Sequence, residues 1–151
     1  MIMSSGPATE ATSLTMTRLI PASREKVFKS WTVPAEVKRW WAPAGFTTTV
    51  AEIDLRVGGT YRIGMKSPDG EVLFVSGVYR EIQPPSKLVF TWAWDEDGGP
   101  GHESLVTVEF IARGSATDVI FTHGQLLDAE SRDKHAHGWT GCFDKLAALF
   151  Q

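Results

Sequence analysis

Residues 104–150 read SLVTVEFIARGSATDVIFTHGQLLDAESRDKHAHGWTGCFDKLAALF, and the change of period inside this stretch decides the fold. From Ser104 to Ala112 and again from Thr117 to His123, apolar and polar residues alternate. That period puts Val106, Val108 and Phe110 on one face of the first strand, and Val119, Phe121 and His123 on one face of the second. Gly114-Ser115 supplies the turn between them. After Gly124 the period becomes helical: Asp128 is the N-cap, and Ala136, Trp139, Phe143, Leu146 or Ala147, and Phe150 form one continuous stripe. A helix of about 22 residues is about 33 Å long, enough to cross a sheet.

Upstream the same β-type runs recur at Thr48–Asp54, Thr60–Lys66, Val72–Gln83 and Leu88–Trp94. They are separated by Gly58-Gly59, Pro68-Asp69-Gly70, Pro84-Pro85 and the segment Gly98 to Gly101. These connections are too short for the crossovers that parallel strands need, so the sheet is expected to be antiparallel. Tyr61, Ile63 and Met65 share an apolar face, as do Phe90, Trp92 and Trp94, and Gly77 is a candidate bulge that would shift the register. Before this sheet come a strand from Ser13 to Ile20 and a short helix capped by Ser23 and carrying Val27, Phe28 and Trp31. A second short helix is opened by Val33-Pro34, carries Val37, Trp40 and Trp41 on one face, and is ended by Pro43. Residues 1–12 are small and polar and are expected to be a disordered tail, leaving a single domain over 13–151. The fold class is therefore α+β: about seven antiparallel strands curved around a long C-terminal helix, with two short helices after strand one.

Fifteen Lys+Arg against eighteen Asp+Glu give a net charge of −3. Neither sign gathers into a block that would follow a phosphate backbone, so nucleic acid is not an expected partner. No apolar run approaches the roughly 20 residues that span a bilayer, so membrane insertion is not expected. The start lacks the pattern of a signal peptide, and cytoplasmic location is the expectation. The single cysteine, Cys142, excludes an internal disulfide and a structural zinc site of cysteines.

Six tryptophans and eight phenylalanines in so short a chain either fill a core or line a cavity, and periodicity leaves both open. If there is a cavity, its walls are the concave face of the sheet and the apolar stripe of the last helix. The candidate ligand-binding residues are then Tyr61, Ile63 and Met65, Phe90, Trp92 and Trp94, Val108 and Phe110, Phe121 and His123, and Trp139 and Phe143. Trp40 and Trp41 are candidates at the mouth. His123 could orient a ligand by a hydrogen bond or simply be bonded at the sheet rim. His135 and His137 point about 200° apart on a helix and cannot share one ion, so no metal is expected. No cofactor loop, nucleophile elbow or paired carboxylates occur, and no catalytic residue is assigned. Gly138 and Gly141 inside the last helix call for either close packing or room for a ligand.

Four blocks carry a family resemblance: Val37-Lys38-Arg39-Trp40-Trp41-Ala42-Pro43; Asp54-Leu55-Arg56-Val57-Gly58-Gly59-Thr60-Tyr61-Arg62; Pro84-Pro85-Ser86-Lys87-Leu88-Val89-Phe90-Thr91-Trp92; and Gly138-Trp139-Thr140-Gly141-Cys142-Phe143-Asp144-Lys145-Leu146. In this order the chain resembles homologues of the activator of the heat-shock-protein-90 ATPase, within the wider group of birch-pollen-allergen and START-like folds. The resemblance implies the helix-grip fold and an apolar pocket between sheet and helix. The expected function is binding of a small apolar or aromatic ligand. Alternatives are a protein-interaction domain of co-chaperone or stress-response type, using the outer sheet face or the Asp95 to His102 loop, and a polyketide-cyclase-like enzyme using His123 or Tyr61. Homodimerisation through a sheet edge is possible on general grounds.

Overall fold

The computed structural model describes residues 12–96 and 98–151. The tail expected over residues 1–12 therefore lies, apart from Thr12, outside the described residues. The carbonyl of Thr12 accepts a hydrogen bond from the Leu126 amide at 3.0 Å.

The strands are β1 (Leu14–Ile20), β2 (Thr47–Ile53), β3 (Thr60–Lys66), β4 (Val72–Gln83), β5 (Lys87–Glu96), β6 (Gly99–Pro100), β7 (Ser104–Arg113) and β8 (Ala116–Gly124). The helices are α1 (Arg24–Thr32), α2 (Pro34–Val37) and α3 (Ala129–Leu149). The sheet runs in the order β1-β8-β7-β5-β4-β3-β2, and every pair is antiparallel, as the short connections require. The two-residue β6 folds back on β5, with Asp95 opposite Pro100 and Glu96 opposite Gly99, where a plain glycine-rich turn was expected.

The predicted faces hold. Val106, Val108, Phe110, Val119, Phe121 and His123 are completely buried, and they alternate with exposed or half-buried neighbours. Gly77 is not itself the register shift, which falls between Tyr79 and Glu81. A side chain at Gly77 would meet the Thr91 carbonyl at 1.9 Å, so glycine there permits the two strands to approach. The Thr91 hydroxyl replaces a ladder partner by accepting from the Val78 amide at 2.8 Å.

The second short helix is shorter than the sequence suggested. α2 covers a single turn, and Trp40 and Trp41 follow it in tight turns closed by Trp41 N to Val37 O (3.1 Å) and Ala42 N to Trp40 O (2.8 Å). Both indoles are buried, at 1% and 3% exposure, on the core side that their spacing from Val37 predicted.

α3 begins at Asp128, whose carboxylate accepts from the Ser131 amide at 2.8 Å, and it lays Trp139, Cys142, Phe143, Leu146 and Ala147 into the sheet. The segment before β2 is fastened to it: Lys145 Nζ donates to the carbonyls of Pro43 (2.9 Å) and Phe46 (2.8 Å). A side chain at Gly141 would lie 2.7 Å from the Ala44 amide, so this glycine serves close packing. At Gly138 the same construction meets only Pro43 Cγ at 3.7 Å, an ordinary contact.

Candidate functional site

A cavity of about 260 Å³ opens between β3, β5 and α3. Its wall is formed by Trp41 and Pro43 from the segment before β2, Met65 from β3, Trp92 and Trp94 from β5, and Lys134, His135, Gly138, Trp139 and Cys142 from α3. The alternation of β5 brings Trp92 and Trp94 to the same side, and the i, i+4 spacing of Lys134 and Gly138, and of Gly138 and Cys142, turns one helix face toward them. Gly138 contributes space by lacking a side chain.

Of the fourteen residues expected to line a site, Trp41, Met65, Trp92, Trp94 and Trp139 are in this wall. Trp40, Tyr61, Ile63, Phe90, Val108, Phe110, Phe121, His123 and Phe143 are not; they are packed in the core at 4% exposure or less. The reason is volume. Trp31 from α1 packs against Trp40, Phe110, Phe121 and Phe143, with ring centroids 4.6–6.2 Å apart, and fills that part of the concave face. Tyr61 is likewise committed to the protein, donating to the Thr91 carbonyl at 2.6 Å, and burial pushes its phenol well above the usual range.

His123 is wholly buried and both ring nitrogens are bonded. An indole N–H can only donate, so the 3.1 Å contact from Trp139 Nε1 makes His123 Nδ1 the acceptor. The proton then sits on Nε2 and is donated to Ser104 Oγ at 2.7 Å; Ser104 in turn donates to the Trp92 carbonyl at 3.2 Å. The neutral ring is thereby a fixed link between two cavity tryptophans. Burial first, and the nearby His135 ring second, depress its pKa to about 3.

His135, expected to point away from His137, faces His123, with ring centroids 5.0 Å apart. Its Nε2 accepts from Trp94 Nε1 at 3.1 Å and its Nδ1 donates to the Ser131 carbonyl at 2.7 Å. Burial lowers its pKa, and the bond to Ser131 opposes that shift. The signal for this pair was available in the i, i+4 spacing of Ser131 and His135 and in the side on which Trp139 and His135 both lie. Its partner 12 residues earlier, across the β8–α3 connection, was not.

Cys142 is buried in the wall, and desolvation pushes its thiol up to about 12, so it is a small apolar surface. Lys134 stands at the rim, paired with Glu130 at 3.5 Å, and both side chains are mostly exposed. Among the described residues no three His, Cys, Asp or Glu side chains gather into a metal site, and no helix is long and apolar enough to cross a membrane.

A curved antiparallel sheet closed on one long terminal helix, with two short helices after the first strand, defines the helix-grip class. Residues 21–151 match the family described as Activator of Hsp90 ATPase homolog 1-like protein, and the chain belongs to that family. Solved structures with the same fold include a protein of that family from Silicibacter pomeroyi, 30% identical, covering 91% of this chain and 96% of its own, with a TM-score of 0.83. A protein from Chromobacterium violaceum is 27% identical over 92% of this chain and 96% of its own, also at 0.83. A protein from Arthrobacter aurescens, at 22% identity, covers 93% of this chain and 87% of its own, and shares the fold with a TM-score of 0.83. Among curated proteins none matches the chain.

Proposed function

We propose that the chain is a binding module for a small, largely apolar molecule held between β3, β5 and α3. The observation that carries this reading is the cavity of about 260 Å³ walled by Trp41, Met65, Trp92, Trp94 and Trp139. Apolar walls with few polar groups are what small-molecule sites are usually made of. Burying a flat ring or a short aliphatic body there removes apolar surface from water at about 25 cal/mol per Å². The catalytic alternative would use His123 or Tyr61, but neither borders the cavity and both have their hydrogen-bonding atoms engaged by the protein. In the Asp95 to His102 segment, offered by the interaction alternative, the described residues Gly99 and Pro100 are folded back on β5 as β6.

The test is native mass spectrometry of the protein purified from its own host, followed by a thermal-shift screen against aromatic and aliphatic compounds. A saturable rise in melting temperature is expected, because a ligand that binds only the folded form stabilises it. Gly138→Leu fills the cavity and should abolish the rise. No saturable shift across the panel, or a shift that survives Gly138→Leu, would overturn the assignment to this cavity.

A further inference from the structure

Two imidazoles brace tryptophans of the cavity wall, and they differ in what can reach them. His123 accepts from Trp139 and donates to Ser104; His135 accepts from Trp94 at 3.1 Å and donates to the Ser131 carbonyl at 2.7 Å. His123 and Trp139 are buried. His135 and Trp94 are only half-buried, on the side where the exposed Lys134 marks the rim. A proton from solvent can therefore reach His135 while His123 stays closed off.

Neutral His135 has one acceptor nitrogen, and the bond from Trp94 uses it. The imidazolium has none. With a proton on Nε2, two donors point at each other and the bond from Trp94 is lost, while the Nδ1 bond to Ser131 survives. No neighbour takes up the new proton. From β8 the ring is faced by His123, with centroids 5.0 Å apart, whose nitrogens are both engaged. From β5 it is faced by Trp92 and Trp94, each 6.2 Å away, which present no acceptor atom. Farther along β5, Asp95 pairs with Arg62 on the opposite face of the sheet, and the Glu96 carboxylate lies beside Gly101. On α3 itself, Glu130 pairs with Lys134, Asp133 pairs with Arg132, and Asp128 caps the helix.

Resting on the binding function proposed above, we infer that Trp94 and His135 form an acid-sensitive latch in the cavity wall: a proton on His135 Nε2 frees Trp94 to swing toward solvent, and the cavity then releases an apolar guest. Burial holds the His135 pKa below its ordinary value, against the opposing pull of the Ser131 bond, so the latch is shut at neutral pH and opens on the acid side. The coupling is reciprocal: a guest that needs Trp94 in place makes His135 harder to protonate.

The experiment uses the full-length, ¹⁵N-labelled protein and tetralin, a hydrocarbon that has no ionisation of its own. Without guest, the Trp94 indole N–H resonance, assigned with Trp94→Phe, should move upfield as the His135 ring titrates and with the same midpoint, while that of Trp139 stays in place. Binding confined to the neutral form is weakened by the fraction left in that form, so the Kd for tetralin should rise about tenfold one pH unit below the midpoint. Saturating tetralin should move the midpoint to lower pH. His135→Gln keeps a carbonyl oxygen for Trp94 but cannot titrate, so its affinity, whatever the value, should be the same at both pH values. A Trp94 resonance that ignores the His135 titration would overturn the latch, and this comparison needs no guest. Movement of Trp139 together with Trp94 would mean that acid loosens the whole core, and would overturn it too. A fall in affinity that persists in His135→Gln would remove His135 as the sensor. Unchanged tetralin affinity across the midpoint, with Trp94 moving, would overturn release while leaving the binding function standing. Saturation by tetralin at no pH would overturn release and the binding function together.

Discussion

The concave side of the sheet holds two aromatic groups, one of tryptophans with phenylalanines and one of tryptophans alone, and the second borders a cavity. Around Trp31, the rings of Trp40, Phe110, Phe121 and Phe143 interlock, and each of these residues is at most 1% exposed. Around Trp92, the rings of Trp41, Trp94 and Trp139 stand at comparable distances, yet they border a cavity. The first group receives a helix from outside the sheet, α1, whose Trp31 occupies the middle. The second receives Gly138, a residue with no side chain, and two histidines that fasten tryptophans by hydrogen bonds instead of by filling volume. Aromatic content makes a core; whether the core is solid is decided by what is placed opposite.

The largest expected break in this comparison is at the solid group. Phe110→Ala should lower stability by about 3–5 kcal/mol, because the interlocked rings cannot collapse into the gap, while the folded protein keeps its saturable response to a ligand of the cavity. Urea denaturation with and without ligand measures both. Acid should act on the other group. His123 is held neutral in the fold, with a pKa of about 3 against about 6.5 when unfolded, so the unfolded chain binds a proton in the interval between them. The stability it contributes is complete above pH 6.5 and declines as the pH falls toward 3, by about 1.4 kcal/mol per unit within that window, with His135 acting in the same direction. A stability profile that stays flat from pH 6.5 to 4.5 would mean that the imidazole is charged inside the fold.

The two helix glycines sharpen the contrast with smaller effects. Gly141→Ala should cost about 1–3 kcal/mol, since the added methyl meets the Ala44 amide, and the melting temperature should fall. Gly138→Ala should instead raise stability by up to about 1 kcal/mol through helix propensity, and weaken ligand binding by narrowing the cavity. A parallel response of the two variants, in either direction, would erase the distinction between packing glycine and cavity glycine.

Strand faces were legible because period 2 is written directly into Val106-Val108-Phe110 and Val119-Phe121-His123, and α3 because Asp128 and the Trp139-Phe143 stripe mark its start and its buried side. The family blocks were legible for the same local reason. The cavity was not, because it is a difference between the volume the sheet encloses and the volume that α1 and α3 deliver. That difference is why nine of the fourteen expected lining residues are core. The early end of α2 was not legible, because Val37, Trp40 and Trp41 keep the spacing of one buried face although regular helix stops at Val37. The role of His123 lay between the two readings its sequence allowed: it is bonded within the fold, and the partner it holds, Trp139, is in the wall.

All six tryptophans of the chain belong to one unbroken succession of neighbouring rings, from Trp40 through Trp31 and Trp41 to Trp139, Trp92 and Trp94, with successive centroids 4.6–5.7 Å apart. At such spacings an absorbed photon does not stay on the indole that took it up; excitation migrates along the series before it is emitted. Optically the protein is therefore nearly a single chromophore with one end open to the cavity. A guest beside Trp92 that drains excitation should dim the emission of the whole set, including Trp31 in the solid part of the core, so the molecule reports occupancy without a label.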